Sequence, residues 1–268
     1  MSINVYPVPI TEVSDPWIEH AKRIIFADYG VNVSLEAKNK DLLKFGRSTQ
    51  VQTTSTTLMT LPAGTFNETY VSSNLITSII STNAGDTQQV VVEGHTISGT
   101  ALTFVTQTVT LTGQTVVTLP TAMARCNRIY NNGSTNLAGT ISVCQNTTYA
   151  AGVPAAPALV HCQVVAGDQQ SKKSATSTSS VDYWVVTSYY ADMLEKTAAS
   201  ADVDLEIRLA GKVFRQRVNI SVSENHRATF EFKPYLIIPP NSDIRLVARA
   251  SANNKDISGG IEGVLLKA

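Results

Sequence analysis

Apolar residues alternate with polar ones along much of this chain, and this two-residue period constrains the fold more than any other feature. The clearest case is the run 202–209, DVDLEIRL, in which every second residue is aliphatic and most residues between them are charged. Side chains of a β-strand point to alternate faces, so the run predicts a strand with one face in a core and the other in water. A turn at 210–212 and a second alternating run ending at 222 predict a β-hairpin over 202–222.

The same texture extends from Thr49 to the end of the chain, where strand-like runs are punctuated by Gly, Pro, Asn and Asp. Further strand candidates are 89–93, 102–111, 114–119, 125–130 and 140–145, and the runs that contain Phe230, Ile244 and Ile261. Many short strands separated by turn signals are typical of a sandwich or barrel. We therefore expect an all-β protein.

The first 48 residues differ from the rest and predict an N-terminal arm, 1–48. Asp15 and Pro16 predict the start of a helix, because the carboxylate can cap free amide protons and proline is favourable in the first turn. One apolar stripe at helical spacing follows, formed by Trp17, Ala21, Ile24 and Ile25. We expect a helix over about 16–28.

An Ala- and Pro-rich stretch at 150–157 and a Ser/Thr/Lys run at 171–180 interrupt the strand pattern. They predict a boundary between a first β-domain, 49–175, and a C-terminal β-sandwich domain, 176–268. The Ser/Thr run is equally compatible with an exposed hairpin of one larger domain.

The composition favours a protein that associates. Charged residues make up 16% of the chain and the formal net charge is zero, whereas an ordinary soluble domain is about 25% charged. Neutral hydroxyls and amides lose little on desolvation when they find partners across a contact, and zero net charge removes the repulsion between free copies. An exposed Thr-rich sheet is the alternative explanation. The basic residues form no cluster, so we expect no nucleic acid partner.

Signals for catalysis, metal binding and cofactor binding are missing from the sequence. The histidines are isolated, and we expect the three cysteines, Cys126, Cys144 and Cys162, to be reduced and buried. There is no nucleophile elbow, P-loop or dinucleotide motif. Asp202, Asp204 and Glu206 share one strand face, which we expect to be solvated. The sequence thus predicts no enzyme, no cofactor and no metal, and without a signal peptide or apolar span it predicts cytoplasmic synthesis and no membrane partner.

Several segments also match a known group of proteins. They are 44–47 (KFGR), 90–94 (VVVEG), 108–113 (TVTLTG), 211–215 (GKVFR), 232–239 (FKPYLIIP) and 241–245 (NSDIR). Together they resemble virion structural proteins of tailed phages that infect marine bacteria and cyanobacteria. The resemblance implies a jelly-roll-like sandwich in the virion capsid, a homotrimer that binds the major capsid protein as a decoration or cement protein.

The arm is the part that we expect to reach a neighbour, because a short amphipathic helix is marginal alone and needs an apolar surface. The residues expected to bind this partner are Trp17, Ile24, Ile25, Phe45 and Arg47.

Three alternatives remain open. The chain can be a tail fibre, adaptor or baseplate subunit of the same particle, for which an all-β trimer is equally natural. It can be a receptor- or glycan-binding module, with Tyr183, Trp184, Tyr189 and Tyr190 as a stacking platform, although a strand that buries Trp184 is favoured. A tailspike enzyme is least favoured, because the acidic cleft and the β-helix repeat are missing.

Overall fold

The structure is a computed structural model and describes residues 36–194 and 199–267. The strands in the first half are β1 (Glu36–Val51), β2 (Thr56–Thr57), β3 (Ile76–Ser81), β4 (Gln89–Ser98), β5 (Ala101–Thr110), β6 (Val117–Met123), β7 (Arg125–Asn131), β8 (Ile141–Gln145), β9 (Tyr149–Ala150) and β10 (Val153–Pro154). After a short 3-10 helix at Pro157–Leu159 come β11 (Val160–Val164), β12 (Thr176–Ser177), β13 (Asp182–Met193), β14 (Ser200–Arg208), β15 (Arg215–Ser223), β16 (Arg227–Ile238), β17 (Asp243–Ala250) and β18 (Lys255–Lys267). The predicted all-β class is confirmed, and the predicted helix over 16–28 lies outside the described residues.

The first and last parts of the chain together form a jelly roll. One antiparallel sheet has the order β1-β18-β13-β16, and the other has the order β12-β17-β14-β15, with β2 also paired to β17. We call them the β1 sheet and the β17 sheet. If β2 and β12 are counted as two halves of one strand, the eight strands in chain order occupy the sheets as 1-8-3-6 and 2-7-4-5. This is the connectivity of a jelly roll.

The core of the jelly roll lies between its two sheets. Val203, Leu205 and Ile207 of the predicted hairpin are buried there, as the alternation predicts, and Trp184 is only 2% exposed. The expectation of a solvated acidic face is wrong at Asp204, which is fully buried. β14 is a central strand, so neighbours on both sides cover this carboxylate, which accepts a hydrogen bond from Asn219 at 2.6 Å and pairs with Arg249 at 2.8 Å.

Residues 59–174, which we call the insert, form a second sandwich with its own core. Its sheets have the orders β11-β8-β3-β6 and β5-β4-β7. The core between them includes Val90, Ile129, Ile141 and Val143, and the strand candidates of this half correspond to β4 through β8. Cys126, Cys144 and Cys162 are buried and free, as expected.

The insert interrupts a single strand of the jelly roll. In β2, Thr56 and Thr57 pair with Ala248 and Val247, and the amide of Leu58 continues this edge by donating to the carbonyl of Leu246 at 2.9 Å. The chain returns so that Ser174 donates from its amide to the Leu58 carbonyl at 3.1 Å.

The second half-strand, β12, then continues the pairing along the same edge of β17, with Thr176 opposite Ile244. Extending the antiparallel pairing of each half-strand by one residue places Leu58 opposite Leu246 and Ala175 opposite Arg245. The two half-strands are therefore in register, as if the insert were spliced between adjacent residues.

This nesting changes the predicted domain organisation. The boundary placed at residue 48 falls inside β1, which pairs with β18 on both sides of that point, and Val51 and Leu58 belong to the jelly-roll core. Residues 36–48 are therefore a strand of the C-terminal sandwich, not part of an arm. The chain re-enters the jelly roll at β12, and the predicted C-terminal domain, 176–268, lacks β1 and β2, which belong to the same sandwich. The first boundary was displaced because the pairing of β1 with the last strand of the chain is not visible in local sequence.

Candidate functional site

The outer face of the β1 sheet carries exposed apolar residues. Along β1, Leu43 is 63% exposed and Phe45 is 37% exposed. Phe45 stands in register with Gly260 and Tyr190, whereas the adjacent row, Ile261 and Tyr189, faces the core. Leu43 and Phe45 therefore point away from the core, and they lie on an edge strand of the sheet.

Tyr190 is held flat on this same face. A Cβ at Gly260 would lie 2.6 Å from the Tyr190 ring, so only glycine lets the ring rest on the strand. Arg227 of β16 covers the ring, with its guanidinium carbon 4.0 Å from the centroid of the Tyr190 ring. The result is a shallow aromatic surface beside Phe45.

Towards the other end of the sheet the outer face is more buried. Val185, Val264 and Leu266 form a small apolar cluster, against which Tyr183, Tyr235 and Ile237 pack with partial exposure. Leu43 and Phe45 extend this apolar character towards the edge. We call the whole surface, which carries Tyr183, Val185, Tyr190, Leu43 and Phe45, the outer face.

The predicted partner-binding residues have different positions. Phe45 is on the outer face. Arg47 is already bound within the chain, since its Nε and Nη2 donate to the carboxylate of Asp256 at 2.9 and 2.6 Å and tie β1 to β18. Trp17, Ile24 and Ile25 lie outside the described residues. The Tyr/Trp platform is divided, because Trp184 and Tyr189 face the core and Tyr183 and Tyr190 face outward.

A second unusual region is the junction between the insert and the jelly roll, where ion pairs are buried. Arg125 of β7 donates from Nε to Asp243 of β17 at 2.8 Å, and both side chains are under 10% exposed. Arg208 and the Ser177 hydroxyl donate to the same carboxylate. Burial opposes ionisation of Asp243, but the charges and hydrogen bonds of Arg125 and Arg208 outweigh it and hold its pKa below the ordinary value.

Lys173, in the returning linker, anchors the chain to the base of the insert. Its ammonium donates to a carboxylate oxygen of Glu68, to the carbonyl of Cys126 at 2.6 Å and to the carbonyl of His161 at 3.0 Å. Burial lowers the pKa of this lysine, and the charge of Glu68 more than reverses the effect. An ammonium has three donors, and all three are used within the protein. The role of Lys173 is therefore structural.

Two buried histidines belong to the same region, and each is 1% exposed. Burial lowers the pKa of His95 to about 4. Burial, with the charge of Lys173, lowers the pKa of His161 to about 3. The amide nitrogens of Asn127 and Gln145 face a ring nitrogen of each, at 3.2 and 3.0 Å, so each ring accepts there and is neutral.

Aromatic and guanidinium groups are stacked at the jelly-roll side of the junction. The Tyr70 and Phe214 ring centroids are 4.9 Å apart. The guanidinium carbon of Arg208 lies 4.4 Å from the Tyr70 centroid, and that of Arg245 lies 4.0 Å from the Phe214 centroid. Sequence reasoning missed this cluster, because its members come from distant segments and form no motif.

The part of the chain that the structure describes contains no group of three or more His, Cys, Asp or Glu side chains placed to hold a metal ion. The same part has no helix long and apolar enough to cross a bilayer.

Comparison with known proteins gives little. No protein-family model matches the chain, and no curated protein matches it. Among solved structures, a structure of infectious bursal disease virus, Gt strain, is 10% identical over 88% of this chain and 73% of that chain, with a TM-score of 0.21. The CBM22-1–CBM22-2 tandem of Paenibacillus barcinonensis Xyn10C is 12% identical over 89% and 94%, with a TM-score of 0.22. Scores this low leave the function of this chain to be argued from its own residues.

Proposed function

We propose that this chain is a non-enzymatic structural protein of a virus particle, and specifically a capsid decoration protein that binds and stabilises the major capsid protein shell of a tailed phage. The observation that carries the proposal is the outer face, where Leu43 and Phe45 are exposed on an edge strand beside an aromatic surface. Jelly rolls are frequent in viral capsid and lectin domains, although a fold alone does not fix a function. The zero net charge of the chain favours association as well.

The mechanism is the burial of surface. Phe45 and Leu43 are stabilised when a neighbour removes them from water, at about 25 cal/mol for each Å² of apolar area. A homotrimer would present this face three times, so weak single contacts would combine into tight binding. The partners in this proposal are the major capsid protein and further copies of the chain, with no nucleic acid and no membrane, and the location is the virion after synthesis in the host cytoplasm.

The test is binding to empty shells of the phage that encodes the chain. Purified protein is mixed with shells and sedimented, and its oligomeric state is measured by light scattering. We expect co-sedimentation, and we expect Leu43→Ser with Phe45→Ser to reduce it at least tenfold. Phe104→Ser is the matched control, because Phe104 is 42% exposed on the insert and off the outer face; it should bind like the wild type.

A deletion of residues 1–35 tests the arm separately, because it leaves β1 intact, whereas a deletion to residue 48 would remove a strand. Loss of binding in this variant would support the predicted roles of Trp17, Ile24 and Ile25. Normal binding of the Leu43/Phe45 variant, or no binding of the wild type to any shell, would contradict the proposal.

A further inference from the structure

A cavity of about 230 Å³ opens at the junction, with one wall from each sandwich. The insert contributes Tyr70, Val71 and Ile97, and the jelly roll contributes Arg208, Leu209 and Lys212. Ligand sites are often found between domains, with apolar walls and a few polar groups that converge. This cavity has both apolar walls and converging polar groups.

The charge of the cavity is positive. Arg125, Arg208 and Lys212 line it, against the single acidic residue Asp243. Asp243 is already occupied by donors from Arg125, Arg208 and Ser177. A guanidinium has five N–H donors, and Arg208 gives Asp243 hydrogen bonds only from Nε and Nη2. Its remaining N–H groups and the ammonium of the exposed Lys212 are available to an anion.

Tyr70 supplies a second, independent observation. Its hydroxyl oxygen is buried, and no described residue forms a hydrogen bond with it. Burial raises the pKa of this phenol well above its ordinary value, so the hydroxyl keeps its proton and stays a donor. The oxygen has no surface open to the cavity, but a buried donor that lacks an acceptor costs stability, so a shift of the ring that brings the hydroxyl to an acceptor in the cavity is favourable.

We propose that this cavity binds a small carboxylate attached to a single polar ring, the chemistry of a uronic acid unit of a glycan. The volume equals about eight water molecules at roughly 30 Å³ each, which suits one sugar ring, whereas an inorganic anion would fill only a part. The carboxylate accepts from Arg208 and Lys212, and Val71, Ile97 and Leu209 cover the sugar ring. The Tyr70 side chain shifts so that its hydroxyl donates to an oxygen of the sugar. This inference goes beyond the proposed function and does not rest on it.

The experiment is a titration of the full-length protein with glucuronate, followed by NMR or calorimetry. For a ligand of this size we expect a Kd of roughly 0.1–10 mM. Glucose, which lacks the carboxylate, should bind at least about tenfold more weakly, because a charged hydrogen-bond partner is lost. Equal binding of glucose, tighter binding of inorganic phosphate, or no binding of glucuronate at about 50 mM would each overturn the proposal.

Variants then place the ligand. Tyr70→Phe removes only the hydroxyl, so we expect binding about 2- to 12-fold weaker. The melting temperature should be equal to or above that of the wild type, because an unpaired buried donor is gone. Thr100→Trp blocks the rim of the cavity and should abolish binding. Thr106→Trp is the matched control, since Thr106 is exposed on the same insert but does not line the cavity. Full binding by Thr100→Trp, or equal losses in both Trp variants, would show that the ligand lies elsewhere.

Discussion

Acid should destabilise the protein through the two buried imidazoles of the insert. His95 and His161 are neutral in the folded state, with pKa values of about 4 and about 3, while in the unfolded chain each returns to about 6.5. Below that value the unfolded state binds protons that the folded state refuses, so the free energy of unfolding falls as the pH falls. Between pH 7 and pH 5 the loss is about 2 kcal/mol for each imidazole and about 4 kcal/mol for both. Typical stabilities are about 5–15 kcal/mol, so the effect is large.

Burial is the largest cause of both low pKa values, and the charged groups around the two rings act differently. Arg125 and Lys44 lower the pKa of His95 and are opposed by Asp243 and Asp182. Lys173 and Arg125 lower the pKa of His161. Protonation would set a ring N–H against the amide donor of Asn127 or Gln145, which adds to the cost of charging either ring.

The assay is urea unfolding at pH 7 and pH 5, followed by circular dichroism and by hydrogen exchange of the segments 125–131 and 160–164. The double variant His95→Gln, His161→Gln leaves no histidine in the insert. The stability that it loses between the two pH values should be smaller than the wild-type loss by about 4 kcal/mol, whatever its absolute stability. His226→Gln, at an exposed hairpin, should keep the full wild-type dependence. An unchanged pH dependence in the double variant would refute the reasoning.

Two further predictions concern the splice point of the insert. Deleting residues 59–174, so that Leu58 joins Ala175, should give a folded jelly roll with a buried Trp184, measured by fluorescence and by hydrogen exchange over 243–250; an unfolded product would contradict the in-register half-strands. Gly46→Ala should cost at least about 3 kcal/mol of stability, because its Cβ would lie 1.9 Å from the Leu58 carbonyl oxygen. Gly85→Ala is its control, since its Cβ would meet only the Asn83 side chain, at 3.2 Å; equal losses would contradict the prediction.

The sequence predicted the strands whose side chains alternate between the core and the solvent. The hairpin 202–222 and its buried Val203, Leu205 and Ile207 follow from side chains that alternate along a strand. Leu209 does not follow: β14 ends at Arg208, and Leu209 is 39% exposed at the cavity. The alternation continued in sequence after the strand had stopped.

Long-range pairing explains what the sequence did not predict. The segment 36–44, EAKNKDLLK, is highly charged and lacks strand character, yet its pairing with β18 makes it part of the β1 sheet. Arg125 and Asp243 are 118 residues apart, and their ion pair exists only because the insert returns to its point of departure. Of the predicted binding residues, Phe45 is exposed on the outer face and Arg47 is held by Asp256.

The interrupted strand also bears on the order of folding. β2 and β12 must lie end to end along β17, and an unfolded loop between them carries an entropic cost that grows with its length. A folded insert brings Leu58 and Ser174 together, so it replaces that loop with a rigid clasp. We therefore expect the β17 sheet to close faster once the insert has folded, and we expect damage to the insert to slow the closure of a sandwich whose own residues are unchanged.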